Sequence, residues 1–225
     1  MPKLTDESRN DITHIGLISL FITALITSQM ISSKILAFSF LGFTISMPGG
    51  TLAYAGTFFA TDCISEMYGK KYAQKVVNIG FFMNFVMLIL VWATIFSPAA
   101  QSSIDLGKFA DILSSGTNIV IASLLAYIIS QNWDVIVFHR LRELTSEKYL
   151  WLRNIGSTAA SQMIDTVIFT VVAFTVVPSI LSTGILVSSD ALLGIIIGQY
   201  IAKLIIALLD TPLVYIAARF DQKHQ

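Results

Sequence analysis

Two segments of this chain repeat one order of side chains able to hold a ligand. They are Ser130-Gln131-x-x-Asp134-x-x-x-Phe138 and Ser161-Gln162-x-x-Asp165-x-x-x-Phe169. On an α-helix, positions i, i+3 and i+7 lie within about 60° of one another, so each copy lays an amide, a carboxylate and an aromatic ring along one stripe. The residues around them are mostly Ile, Val, Ala and Phe. A carboxylate at the centre of a membrane helix costs about 2.5–3.5 kcal/mol on insertion scales, so neither Asp134 nor Asp165 is filler. Such a set suits a flat, neutral or cationic heterocycle. The carboxylate accepts from adjacent N–H groups, the amide reads donor and acceptor edges, and Phe138, Phe169 and Trp133 offer rings for stacking. The plainer reading is that Gln131, Asp134, Gln162 and Asp165 only hydrogen-bond two helices together.

The surroundings are those of a membrane protein. The chain has 225 residues, 55% hydrophobic and 12% charged, with a mean hydropathy of +0.74; an ordinary soluble domain is about 25% charged. Long apolar runs without ten-residue alternation favour an all-α polytopic bundle over an outer-membrane barrel. Net charge is zero, which gives no electrostatic case for nucleic acid as a partner. The single cysteine, Cys63, excludes an intrachain disulfide and reads as a packing residue.

One membrane domain is expected over 1–225, with spans at about 13–35, 51–68, 75–96, 117–141, 154–177 and 187–218. The first is too long for a signal-peptide core and is read as a retained helix. Residues 36–50, closed by Pro48, Gly49 and Gly50, are too short to span and read as a re-entrant or interfacial segment. Residues 97–116 read as the longest loop, and Pro178 as the stop of the fifth span. At about 1.5 Å per residue, Asp134 and Asp165 would sit roughly 10 and 16 Å above the inner ends of their spans, so their stripes can meet.

Other polar residues extend the candidate site. Gln29 lies in the first span. In the second, Asp62 and Glu66 share a face that Tyr54 and Phe58 continue, and they read either as interface carboxylates balanced by Lys70, Lys71 and Lys75 or as a gate or ion site. Lys203, one turn after Gln199, is the deep cation of the sixth span, and its plainest role is to neutralise Asp134 or Asp165. The predicted spans hold several carboxylates and no Arg except Arg140 at the very end of the fourth, so a phosphorylated solute would be repelled. His14, His139 and His224 lie at span ends or in a tail, which disfavours a metal site. Most of the 14 Lys and Arg fall in the N-terminal tail, the second-to-third and fourth-to-fifth connectors and the C-terminus. Lys34 and Lys108 lie on the other side, so both termini are expected in the cytoplasm.

The segments MPGG with TDCISEMYGKK, SQNWDVIVFHRLR, RNIGSTAASQMIDTVIF and KLIIALLDTP resemble the VUT (vitamin uptake transporter) family of queuosine precursor transporters. The resemblance runs from the first span to Pro212. It implies six helices, as in the substrate-binding subunits of energy-coupling-factor transporters, and uptake of 7-deazaguanines such as preQ0 and preQ1 across the inner membrane. The family's acidic and amide positions map onto Asp62, Glu66, Gln131, Asp134, Gln162, Asp165 and Lys203. The expected partners are a small-molecule base and membrane lipid; a homo-oligomer is compatible, and no cofactor is expected. The rival readings are a binding subunit that depends on a separate ATPase, an intramembrane aspartyl protease, whose flanking motif is missing, and a purely structural membrane subunit.

Overall fold

The computed structural model describes residues 6–40, 43–100, 106–144, 150–182, 184 and 186–222. The chain is built of helices: α1 (Asp6–Ile31), α2 (Gly50–Tyr68), α3 (Lys70–Phe96), α4 (Leu106–Leu144), α5 (Leu150–Val171), a π-helical turn (Val172–Val176), α6 (Val177–Leu181) and α7 (Ser189–Gln222). Among the described residues, five stretches are long and apolar enough to cross a membrane: Ile12–Ile31, Lys70–Phe96, Gly107–Trp133, Ala159–Leu181 and Ser189–Asp210. This is an all-α polytopic membrane architecture. The helix α2, with 19 residues, is long enough to span but carries Asp62, Glu66 and three threonines, and it is not among the five.

Residues 36–50, read from the sequence as a re-entrant or interfacial piece, form two paired strands, β1 (Ile35–Phe40) and β2 (Phe43–Pro48). Phe43-Thr44-Ile45-Ser46-Met47 alternates apolar and polar residues, the period of a strand. The hydroxyls of Ser39 and Thr44 lie 3.0 Å apart across the pair.

Two compact units divide the chain: Met1–Ile35 with Pro48–Ser103 and Ile201–Gln225, and Leu36–Met47 with Ile104–Tyr200. In the first, Phe21 and Leu25 of α1, Ala60 and Ile64 of α2, and Ala73 and Val76 of α3 make the buried core. The start of α2 lies hard against the end of α1. A Cβ at Gly49 would come within 2.8 Å of the Ile31 carbonyl, and one at Gly50 would overlap Ser32 Oγ, so only glycine fits at this junction. In the second unit α4 packs along α5. Ser115, Ile119, Ala122, Ala126 and Ser130 form the buried stripe of α4, and its small side chains let two backbones approach closely, as in membrane bundles generally.

Two local expectations change. Helix α4 begins at Leu106 rather than near Thr117, so most of the expected loop over 97–116 is its first turns. Among the described residues its apolar stretch accordingly begins at Gly107. Pro178 does not stop the fifth span either. It sits in the first turn of α6, immediately after the π turn, where a missing N–H does little harm. The carbonyl of Phe174, which an ordinary residue at 178 would satisfy, instead accepts from the Val187 N–H at 3.0 Å.

Candidate functional site

In the second unit the polar groups converge on α5. Its inward stripe runs Ser161, Thr166, Phe169 and Thr170 and continues to Ala173 of the π turn, all buried, with Gln162 and Asp165 half-buried beside it. Thr166 is folded back on its own helix, donating to the Gln162 carbonyl at 2.8 Å. Thr170 donates across to Gln199 Oε1 on α7 at 3.1 Å, and Tyr200 donates to the Ala159 carbonyl at 3.3 Å. Asp165 accepts from Ser130 of α4 at 3.4 Å, a long and therefore weak bond. The side-chain carbonyl of Gln162 is sealed from solvent and meets no donor among the described residues. Phe169 stands edge-on to Phe174, with ring centroids 6.3 Å apart, an arrangement that fixes the ring beside the polar stripe.

In the first unit the groups are ionisable. Lys203 of α7, 6% exposed, places its ammonium 6.0 Å from the centre of the Tyr54 ring, at the outer limit of a cation–π contact. Tyr54 in turn is edge-on to Phe58 at 5.2 Å. Two turns further along α7, Asp210 is 5% exposed and lies within electrostatic reach of Asp62 on α2. Cys63 is buried beside them. Gln29 is enclosed within α1's packing face, whereas Glu66 is exposed.

The two copies of the sequence repeat are therefore used differently. What they share in the structure is the serine: Ser130 and Ser161 are both buried. Gln131 and Trp133 of the first copy are exposed, while Gln162, Asp165 and Phe169 of the second sit together along α5. Asp134 and Phe138 lie within α4, but their side chains fall outside the described residues. Reasoning from the sequence left out Ser130, Thr170, Gln199 and Asp210 as site residues. The spacing Gln199, Lys203, Asp210 puts all three on one helical face and was the signal available. No group of residues that could hold a metal ion occurs among those described.

Comparison with known proteins places this geometry in context. Residues 48–217 match the family described as "Putative vitamin uptake transporter". The chain is 36% identical over 171 residues to the "Probable queuosine precursor transporter" of Bacillus subtilis, covering 76% of this chain and 71% of that protein. It is 30% identical over 158 residues to the "Queuosine precursor transporter" of Escherichia coli, covering 70% and 67%. With the "Probable queuosine precursor transporter" of Haemophilus influenzae it shares 30% over 132 residues, covering 59% and 54%. No solved structure matches. The family match takes in α2 to α7, and with it both the α5 stripe and the Asp62–Asp210 pair: the chain belongs to the vitamin uptake transporter family.

Proposed function

We propose that this chain imports a queuosine precursor, a 7-deazaguanine base such as preQ0 or preQ1, into the cytoplasm across the plasma (inner) membrane, and that it is a carrier with no enzymatic step. The names of its relatives set the substrate class. Within the molecule, the supporting observation is the Gln162 side-chain carbonyl, buried without a donor among the described residues, one turn from Asp165 and two turns from Phe169. A 7-deazaguanine carries adjacent N–H donors on a flat ring. Gln162 and Asp165 offer acceptors for those donors, and Phe169 an aromatic surface beside them. A buried acceptor without a donor costs about 1–3 kcal/mol, which a ligand donor would recover.

The membrane orientation follows from charge, with both termini in the cytoplasm. A reporter fused at Gln225 should be active only in its cytoplasm-sensing form; the opposite result would invert the topology. The decisive assay is uptake of labelled preQ0 and preQ1 by cells that make neither, with and without this gene. Gene-dependent accumulation is expected, and its absence for both bases would sink the assignment. GMP should produce no thermal shift of the purified protein, because its phosphate would meet carboxylates without a buried Arg. Uptake by the protein alone in liposomes would exclude dependence on an ATPase partner.

A further inference from the structure

We propose that Asn84 of α3 reads the lactam edge of the transported base at a second binding position, formed within the first unit. The proposal takes its ligand from the transport reading above. Among the ionisable groups of this unit Asn84 is neutral, and it lies near the middle of the 27 residues of α3. It is the last of that helix's buried positions, after Ala73, Val76 and Gly80, and it is 0% exposed. Its Nδ2 and Oδ1 are both sealed from solvent, with no partner among the described residues. An enclosed amide in that state is costly at both ends, and inside a bilayer bulk water does not replace the missing bonds. An amide that only held helices together would be bonded to a neighbouring helix.

Printed contacts along α1 and α3 fix the level at which it stands. His14 lies against Tyr72 with ring centroids 5.2 Å apart, and a Cβ at Gly80 would come within 2.5 Å of the Phe21 ring and 2.9 Å of Leu25. The two helices therefore run in the same direction. Asn84 is one turn beyond Gly80 on the same face, level with Ser28 and Gln29, which are both buried. Helix α2 runs the other way: Tyr68 meets His14, while a Cβ at Gly56 would meet Ala24 and one at Gly50 would overlap the Ser28 carbonyl. Tyr54 falls between the last two contacts, with Lys203 of α7 over its ring. Hydroxyls at this level are turned onto their own helices, Ser28 donating to the Leu25 carbonyl at 2.7 Å and Thr57 to the Tyr54 carbonyl at 2.6 Å. The sealed Thr51 hydroxyl, one turn before Tyr54, also has no partner among the described residues.

The two unmet ends of Asn84 define the ligand. A side-chain amide presents a donor and an acceptor in one plane, so its complement is a planar group with an acceptor and an N–H side by side. A lactam, C=O next to ring N–H, is such a group, and a 7-deazaguanine carries one on its six-membered ring. The buried ammonium of Lys203 suits preQ0, which is neutral, better than the ammonium-bearing preQ1. Two positions of moderate affinity also let a base pass where one tight site would hold it.

The test is equilibrium binding of labelled preQ0 to the purified full-length chain. At saturation wild type should hold a second base per chain, and Asn84→Leu, which replaces the amide by an apolar group of similar volume, should hold only one. In Asp165→Asn, which weakens the α5 position, the base that remains should be displaced by guanine. The unsubstituted 7-deazapurine ring, which lacks the lactam carbonyl and its N–H, should displace it roughly tenfold less well or worse. If Asn84→Leu does not fold, Asn84→Ala, which adds no bulk, is counted in its place. A single base per chain in wild type, or an undiminished second base in the Asn84 variant, would overturn the second position. Equal displacement by guanine and by the unsubstituted ring would overturn the lactam reading. A wild type that binds no preQ0 would instead sink the transport reading, and the second position with it.

Discussion

The two units of this chain place polar side chains among apolar helices in contrasting ways. Along α5 the groups are mostly neutral. Thr166 and Thr170 are satisfied by a backbone carbonyl and by Gln199, and one carboxylate, Asp165, leans on a serine. In the first unit the groups are ionisable, with Asp62 and Asp210 within electrostatic reach of one another and Lys203 over Tyr54. Amides and hydroxyls discriminate by direction, since each donor or acceptor demands a partner at a particular angle. Ionisable groups respond to protons and fields over longer distances. A carrier needs both properties, and this chain keeps them on separate sets of residues.

The contrast can be tested from either side. The largest effect is expected from Gly198→Ala. A Cβ at Gly198 would overlap the Ser46 carbonyl of β2, and backbone cannot yield as a flexible side chain can. Stability should fall by about 1–3 kcal/mol, read as a lower melting temperature. An unchanged melting temperature would show that the Ser46 backbone can yield to the added methyl group.

Asp165→Asn comes next. It keeps the shape and replaces an acceptor oxygen with a donor, so a donor meets a donor. Affinity for the base should fall roughly tenfold or more, about 1.4 kcal/mol, with yield in detergent preserved because an intramembrane charge has been removed. Normal uptake with poor yield would return Asp165 to a purely structural role. A smaller loss, about 1 kcal/mol of stability, is expected for Thr170→Val, which leaves Gln199 Oε1 without its donor; urea denaturation of the solubilised protein measures it. Ser130→Ala should be the mildest, at about 0.5 kcal/mol or less, because its bond to Asp165 is long. A large effect there would mean that the serine holds Asp165 more tightly than the distance implies.

Much of this contrast is written in local sequence. The helices follow from apolar run length, and the serines of the Ser-Gln-x-x-Asp repeat, Ser130 on α4 and Ser161 on α5, are both buried. Spacing alone did not show which repeated residue would be enclosed. Gln131 stands out for its chemistry, whereas close packing encloses the small Ser130 and leaves Gln131 exposed. The alternation over Phe43–Met47 was legible but passed over, because a short apolar segment between membrane helices invites a re-entrant reading. Asp62 and Asp210 were each visible as acids in apolar helices. That they meet depends on α7 returning beside α2 from the far end of the chain, and helical periodicity carries no information about such long-range pairing.

The π turn at Val172–Val176 sets the angular phase of everything after it. A π turn closes one residue later than an α turn, so it inserts one position, and one position on a helix is about 100° of rotation. Phe169, Thr170, Ala173 and Phe174 lie before or within that step, and Val177 and Pro178, both buried, lie beyond it. Deleting one residue from this turn would restore a regular helix and swing Val177 and Pro178 out of the packed face. It would also separate the Phe174 carbonyl from the Val187 N–H that caps it. The stripe that faces Gln199 and the start of the following connection are thus indexed to each other by a single extra residue.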